Sequence, residues 1–164
     1  MPNWCSNTIE IEGTKEQINA FVSFLDEQNG KDWFDFFKPT PTELKEEGWY
    51  EWNVENWGTK WNCDAQDWVK VENPNADEAS VTFWFDSAWS PPTTLYEFIE
   101  LTSTLNIKAS YFEGGMGFVG EFVDGVDDCY NYESLEDLDD IPEHLVDEWN
   151  LVEQMEMNEE ENDE

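Results

Sequence analysis

Two alternating runs, each followed by an apolar stripe at helical spacing, limit what this chain can fold into. Ile9 and Ile11 alternate with Thr8, Glu10 and Glu12, the period-2 pattern of a half-buried strand. Gly13 ends that strand, and Thr14-Lys15-Glu16-Gln17 reads as a capping box, a hydroxyl and a side-chain amide satisfying free amides at a helix start. Ile18, Phe21, Val22 and Leu25 then recur at i, i+3, i+4 and i+7, and Asn29-Gly30 supplies a left-handed stop. The second pair begins at Ser80–Asp86, where Val81, Phe83 and Phe85 share one face and Thr82 and Trp84 the other. Ser90-Pro91-Pro92 opens its helix, since proline suits a first helical turn, and Leu95, Phe98, Ile99 and Thr102 form the stripe.

The segments between and after these pairs complete the order. Residues 31–48 read as a loop anchored by Phe34, Phe36 and Phe37 and kept irregular by Pro39 and Pro41. Trp49, Trp52 and Asn53 share a helical face that Gly58 interrupts. Gln66–Glu72 alternates through Val69 and Val71, and the turn formers of Asn73–Asp77 join it to Ser80–Asp86 as a hairpin. Ile107, Ala109 and Tyr111 alternate, Gly114-Gly115 turns, and Phe118–Val123 returns as a partner strand. Pro142 fits a helix start, with Leu145, Val146, Trp149 and Val152 as an apolar stripe that should dock on the domain. The order β-α-β-β-α-β, with an extra strand and an acidic C-terminal helix, predicts an α+β fold. Its expected form is a ferredoxin-like split βαβ sandwich, helices covering one face of an antiparallel sheet. The expected boundaries are a domain over 1–123, an acidic extension with a docked helix over 124–155, and a disordered acidic tail over 156–164.

Charge is the other strong signal. The chain of 164 residues carries 40 Asp and Glu against 7 Lys, with no Arg, for a formal charge of -33. From Glu121 to Glu164 there are 19 acids and no basic residue besides His144. Such a charge alone would suggest disorder, but ten Trp and eleven Phe give the chain ample material for a core. A field this negative attracts basic surfaces and repels nucleic acid and anionic lipid. Met1-Pro2-Asn3 lacks a basic start and no apolar run follows, so no signal peptide is expected. No segment approaches a membrane span, and three widely spaced cysteines suit a reducing compartment. A cytoplasmic protein is the expectation.

Three motifs point to a family. Pro2-Asn3-Trp4-Cys5-Ser6-Asn7 with Ile9, the run Trp52–Trp61 containing Trp57-Gly58-Thr59-Lys60-Trp61, and Ala88-Trp89-Ser90-Pro91-Pro92 resemble the YubB-like proteins of bacteriophages and plasmids. With the Tyr111–Phe122 hairpin they span roughly residues 1–123. The resemblance implies a ferredoxin-like domain and a mobile-element origin, hence the cytoplasm of an infected or plasmid-bearing bacterium. It implies no catalytic residues, and the region from Asp124 onward departs from it.

Several strings invite a chemical reading, and each has a plainer one. Gly115-x-Gly117-x-x-Gly120 matches a dinucleotide fingerprint, yet a strand follows it rather than a helix, so hairpin glycines are the better reading. Cys5, Cys63, Cys129 and His144 include zinc-ligand types without the short spacings of zinc sites, which favours inert thiols. Asp124, Asp127, Asp128 and Glu133 lack the calcium-loop order, and Asp64, Asp67 and Asp86 lack the basic neighbours a nuclease needs. No catalytic residue, metal ligand or cofactor is assigned. Trp49, Trp52, Trp57 and Trp61 are core filler or a protein-contact surface, because a base-stacking platform would require a positive groove.

The acidic surface remains: Asp124, Asp127, Asp128, Glu133, Glu136, Asp137, Asp139, Asp140, Glu143, Asp147 and Glu148. Its plainest role is solubility. Its density invites a second reading, a non-enzymatic inhibitor whose carboxylates imitate nucleic acid and occupy the basic surface of a host nuclease or other defence factor. The alternative is an accessory or oligomerisation protein that uses an aromatic contact surface, and a metal-dependent enzyme is the remotest possibility.

Overall fold

The computed structural model describes residues 3–162. Its elements are β1 (Trp4–Gly13), α1 (Lys15–Gln28), α2 (Trp49–Trp57), β2 (Gln66–Glu72), β3 (Ala79–Ala88), α3 (Thr93–Thr102), β4 (Asn106–Glu113), β5 (Phe118–Val123), β6 (Val126–Asn131), α4 (Glu143–Glu148) and α5 (Leu151–Asn162). All six strands form one antiparallel sheet in the order β2-β3-β1-β4-β5-β6. The protein is therefore α+β, with β3 inserted between β1 and β2.

Local chemistry sets the first helix as its sequence suggests. Thr14 Oγ1 accepts from the Gln17 amide at 3.2 Å, and the Thr14 amide donates to Gln17 Oε1 at 2.9 Å, closing the capping box. Asn29 and Gly30 stop the helix at φ 54° and 78°. A Cβ on Gly30 would lie 2.3 Å from the Ala65 carbonyl oxygen, so both conformation and close approach require glycine there. The tryptophan-rich segment does form a helix, α2, delimited by Gly48 and Gly58 at φ 93° and 86°.

One face of the sheet carries the main core. Ile9 and Ile11 of β1, Val81, Phe83 and Phe85 of β3 and Ile107 of β4 meet Ile18, Phe21 and Leu25 of α1 and Leu95, Tyr96 and Ile99 of α3. At its centre Trp33 is fully buried, with the rings of Phe34, Phe83 and Phe85 set edge-on at 4.7–5.2 Å. Edge-to-face contact is favoured because the positive ring edge meets the negative face. Tyr96, rather than Thr102, completes the buried stripe of α3.

The opposite face has a second, smaller core. Successive strand residues point to opposite faces, so Phe112 and Val119, paired across β4 and β5, face away from the main core. There they meet Leu138, Ile141, Leu145 and Leu151, and Trp149 stacks on Phe112 at 5.8 Å and 23°. This C-terminal layer covers the β4–β6 half of that face. On the β2-β3-β1 half Val69, Val71, Trp84 and Trp4 stay exposed.

Two expectations about the C-terminus change. The single helix from Pro142 to Val152 is broken: α4 ends at Glu148, Asn150 adopts φ 51°, and α5 restarts at Leu151. The break lets Leu151 take the buried position and leaves Val152 exposed. The tail expected to be disordered from Glu156 instead continues α5 to Asn162, with residues 156–161 exposed. Glutamate, glutamine and methionine are good helix formers, and the buried Leu151 anchors the first turn. Residues 163–164 lie outside the described residues. The connection 124–140 is likewise built, as β6 and a 3-10 helix over Leu135–Asp140.

Candidate functional site

The acidic surface rests on that second core. Asp124 (φ 53°) and Gly125 (φ 78°) make the tight β5–β6 turn, whose hand requires positive φ at both positions. β6 is an edge strand, and Asp127 and Asp128 point to opposite sides of it. Charges on an edge strand discourage pairing with other chains, which is one role for these two aspartates. Glu136, Asp139 and Asp140 lie on the 3-10 segment, and Glu143, Asp147 and Glu148 on α4. Glu143 and Asp147 are four residues apart, one turn of helix and about 6 Å along its axis.

The carboxylates fall into two groups. Asp127, Asp137 and Glu148 serve the fold. Tyr111 Oη donates to Asp127 Oδ1 at 2.6 Å, while partial burial raises the Asp127 carboxyl above its usual range. Asp137 Oδ2 accepts from the amides of Glu133 (2.8 Å) and Ser134 (3.0 Å), which stabilise its ionised form and lower its pKa. Glu148 Oε1 accepts from Ser110 Oγ at 2.7 Å and from Thr8 Oγ1 at 3.1 Å, pinning α4 across β1 and β4. By contrast Asp124, Asp128, Glu133, Glu136, Asp139, Asp140, Glu143 and Asp147 make no side-chain hydrogen bond or ion pair to another described residue. Among the described residues the acid–base pairs are Lys70–Glu72, Lys108–Glu12 and His144–Glu121.

A second site lies at one end of the sheet, where three segments distant in sequence converge. The Trp89 amide donates to the Asn3 carbonyl at 2.9 Å, Thr59 Oγ1 to the Ala88 carbonyl at 2.8 Å, and Ser90 Oγ to the Gly58 carbonyl at 2.6 Å. Ser87 Oγ donates to the Ser90 carbonyl at 2.7 Å and accepts from Asn7 Nδ2 at 2.9 Å. This frame holds Trp89 at φ 70°, a left-handed conformation that a bulky side chain rarely adopts. Trp89 (48% exposed) and Trp4 (51%) present their rings to solvent, and Trp61 (37%) lies 6.1 Å from Trp4.

The four tryptophans singled out in the sequence divide. Trp57 is core, 2% exposed, its Nε1 donating to the Lys38 carbonyl at 2.8 Å. Trp52 packs against it edge-on at 5.7 Å. Trp49 and Trp61 line a cleft of about 200 Å³. Trp4, Trp84 and Trp89, not anticipated as contacts, are exposed because they sit on the bare half of the sheet or at its end. The alternation of β3 already placed Trp84 opposite Phe83 and Phe85; nothing local marked Trp89.

The remaining strings resolve structurally. Gly117 (φ 75°) helps turn the β4–β5 hairpin, where the Glu113 carboxylate accepts from the amides of Gly115 (2.6 Å) and Met116 (2.7 Å). Tyr111 lies over Gly120, where a Cβ would collide with its ring. Cys5 and Cys63 are buried, and burial pushes the Cys5 thiol up to about 12 and the Cys63 thiol well up, so neither is a ready nucleophile. Cys129 is exposed on β6, and His144 sits on α4 against Glu121 at 2.8 Å. Asp64 Oδ1 caps the Asp32 amide at 3.1 Å, and Asp67 Oδ2 accepts from Trp84 Nε1 at 3.0 Å. Among the described residues no group of three or more His, Cys, Asp or Glu is placed to hold a metal ion, and no helix is long and apolar enough to cross a membrane. A hollow of about 590 Å³ between the β1–α1 turn and the β2–β3 hairpin is lined by capping and turn residues such as Thr14, Gln17 and Asn73.

No protein-family model and no curated protein matches the chain. A similarity was found to a solved structure, protein Api92 of Yersinia pseudotuberculosis, described by the family model DUF1281. It shows 17% identity and a TM-score of 0.35, covering 56% of this chain. The similar region spans 32% of that protein's length.

Proposed function

We propose that the protein is a phage- or plasmid-encoded acidic binding protein that occupies the basic, nucleic-acid-binding surface of a host nuclease or another defence factor. The observation that carries this reading is the set of eight carboxylates, Asp124 to Asp147, that have no side-chain partner among the described residues; they sit on the β5–β6 turn, β6, the loop after it, the 3-10 segment and α4, which the second core holds to the sheet. Ordered charges imitate a polyanion better than a flexible tail, because their spacing survives binding without further ordering cost. The YubB-like motifs support the mobile-element origin and a location in the bacterial cytoplasm. The strand order β2-β3-β1-β4, with α1 and α3 packed on the same face, supports reading residues 1–123 as a ferredoxin-like split βαβ domain with β5 as its extra strand, to which β6 and the C-terminal layer were added.

The test is capture from bacterial lysate on the immobilised full chain at low salt. Nucleic-acid-binding proteins should be retained and released as salt rises, because charge steering and counterion release weaken together. Substituting Asp128, Asp139, Asp140 and Asp147 by Asn, all four outside the internal hydrogen bonds, should abolish retention. Equal retention by that variant, or no nucleic-acid-binding protein at all, would remove the basis of the proposal. The exposed Trp4, Trp84, Trp89, Val69 and Val71 favour a second reading, an accessory protein that oligomerises through aromatic contacts. A salt-insensitive oligomer in light scattering would select it.

A further inference from the structure

The cleft beside the exposed tryptophans has a composition that selects one kind of side chain. Its walls include Trp49 and Trp61 together with Asp32, Asp35, Lys45 and Asn53. Its volume of about 200 Å³ lies below the ~300–1,000 Å³ of small-molecule sites, which suits a single side chain. Partial burial, followed by the neighbouring Asp32 charge, raises the Asp35 carboxyl above its usual range. Asn62 Nδ2 donates to Asp35 Oδ1 at 2.9 Å, which fixes that carboxylate without neutralising it. Asp32 itself sits at φ 50°, its amide held by Asp64, so both acids are set by the backbone around them.

The aromatic surfaces here already attract cations. Lys60 Nζ lies 4.7 Å from the centroid of the Trp61 ring and Lys38 Nζ lies 4.2 Å from that of Phe98. A lysine is a compact, strongly hydrated charge, whereas a guanidinium is planar, stacks on indole and binds a carboxylate through two parallel bonds. A chain of charge -33 meets basic partners. The same charge weighs against a second copy of itself in the cleft.

We propose that the Trp49–Trp61 cleft receives an arginine side chain of the basic partner, its guanidinium stacked on Trp61 in place of the Lys60 ammonium and paired with Asp35, with the exposed Trp4 ring beside Trp61. The proposal rests on the partner being basic, and it places an anchor some distance in the fold from the carboxylates of β6 and α4. Those carboxylates supply steering; the cleft supplies a local, shape-selective contact.

The probes are the capped tripeptides acetyl-Gly-Arg-Gly-amide and acetyl-Gly-Lys-Gly-amide, titrated into the full chain at near-physiological salt. Indole N–H resonances are assigned with single Trp→Phe variants. The arginine peptide should shift the Trp49 and Trp61 signals saturably and bind more tightly than the lysine peptide. The double variant Asp32→Asn, Asp35→Asn should weaken it by about tenfold, the scale of a lost charge-assisted bond. Asn at position 35 can still accept from Asn62, so the loop should stay folded, and an unchanged signal from buried Trp33 reports that. Three results would overturn the proposal: shifts confined to backbone amides of residues 124–148, equal response to both peptides, or a double variant that binds as well as the parent. If the tripeptide binds the cleft but lysate yields no nucleic-acid-binding partner, the arginine site stands and the mimicry reading fails. The reverse pair of results separates them the other way.

Discussion

The two faces of the sheet are built to different standards. The main core is aromatic and dense: Phe21, Trp33, Phe34, Phe83 and Phe85 meet ring to ring beneath α1 and α3. All seven lysines also belong to residues 1–108. The second core has six buried apolar residues, Val119 of the sheet and Tyr132, Leu138, Ile141, Leu145 and Leu151 of the C-terminal layer, and must hold down the most anionic part of the chain. A small apolar core opposing concentrated like charge makes that layer the weaker part of the fold. Its carboxylate ties, Glu148 to Thr8 and Ser110 and Asp137 to its own cap, indicate where polar bonds supplement scarce hydrophobic contact.

The largest effect should come from Trp33→Ala, which removes the centre of the main core and should cost about 3–5 kcal/mol in global stability by chemical denaturation. Loss of protection should reach every strand. Leu145→Ala should cost about 2–5 kcal/mol, but hydrogen exchange should show it mainly in α4 and α5, with β1 and β3 still protected. Uniform loss in both variants would break the distinction between the two cores. Asp137→Ala, which removes the acceptor for the Glu133 and Ser134 amides at the start of the 3-10 segment, should destabilise the layer less than either core truncation in the same denaturation measurement. Asp137 sharpens this through pH. Its pKa is lowered in the folded state, so the stability it gives is present above the unfolded carboxylate value and is lost as pH falls through the folded one. A pH titration of the Asp137→Ala variant should therefore lack part of the parent's acid dependence.

Asp127 carries the opposite sign. Its folded pKa is raised, so its favourable contribution exists below the unfolded value and disappears as pH rises through the folded one. Asp127→Asn, able to keep the bond from Tyr111, should raise thermal stability slightly near neutral pH, by under about 1 kcal/mol at an exposed edge, and give no gain in acid. Raising salt from 0.1 to 1 M shortens the screening length from about 10 to about 3 Å, so it should also favour the anionic layer over the main body. A layer destabilised by salt would mean that ion pairing, rather than apolar contact against repulsion, holds it.

Local chemistry was readable wherever a feature closes on itself within a few residues. The Thr14–Gln17 box, the Asn29-Gly30 stop, the Val81-Phe83-Phe85 face and the β4–β5 hairpin depend on neighbours in the chain. The acidic residues were equally visible, but not which were free: Glu148 reaches Thr8, 140 positions away. The cleft was missed because its parts, Asp32, Asp35, Trp49 and Trp61, lie in a loop, a helix and a second loop with no shared period.

The sequence by itself determined the types of β1 to β5, α1 and α3, the capping of α1, and the sign of the electrostatic field, because propensity, periodicity and charge are properties of the chain. Only the tertiary structure decided that the C-terminal stripe packs on the far face of the sheet and that helix continues past Glu156. Nor could the sequence show that Trp89 is held out in a strained conformation. Each depends on which surfaces meet after closure, and a one-dimensional apolar pattern says that a face must be buried without saying against what.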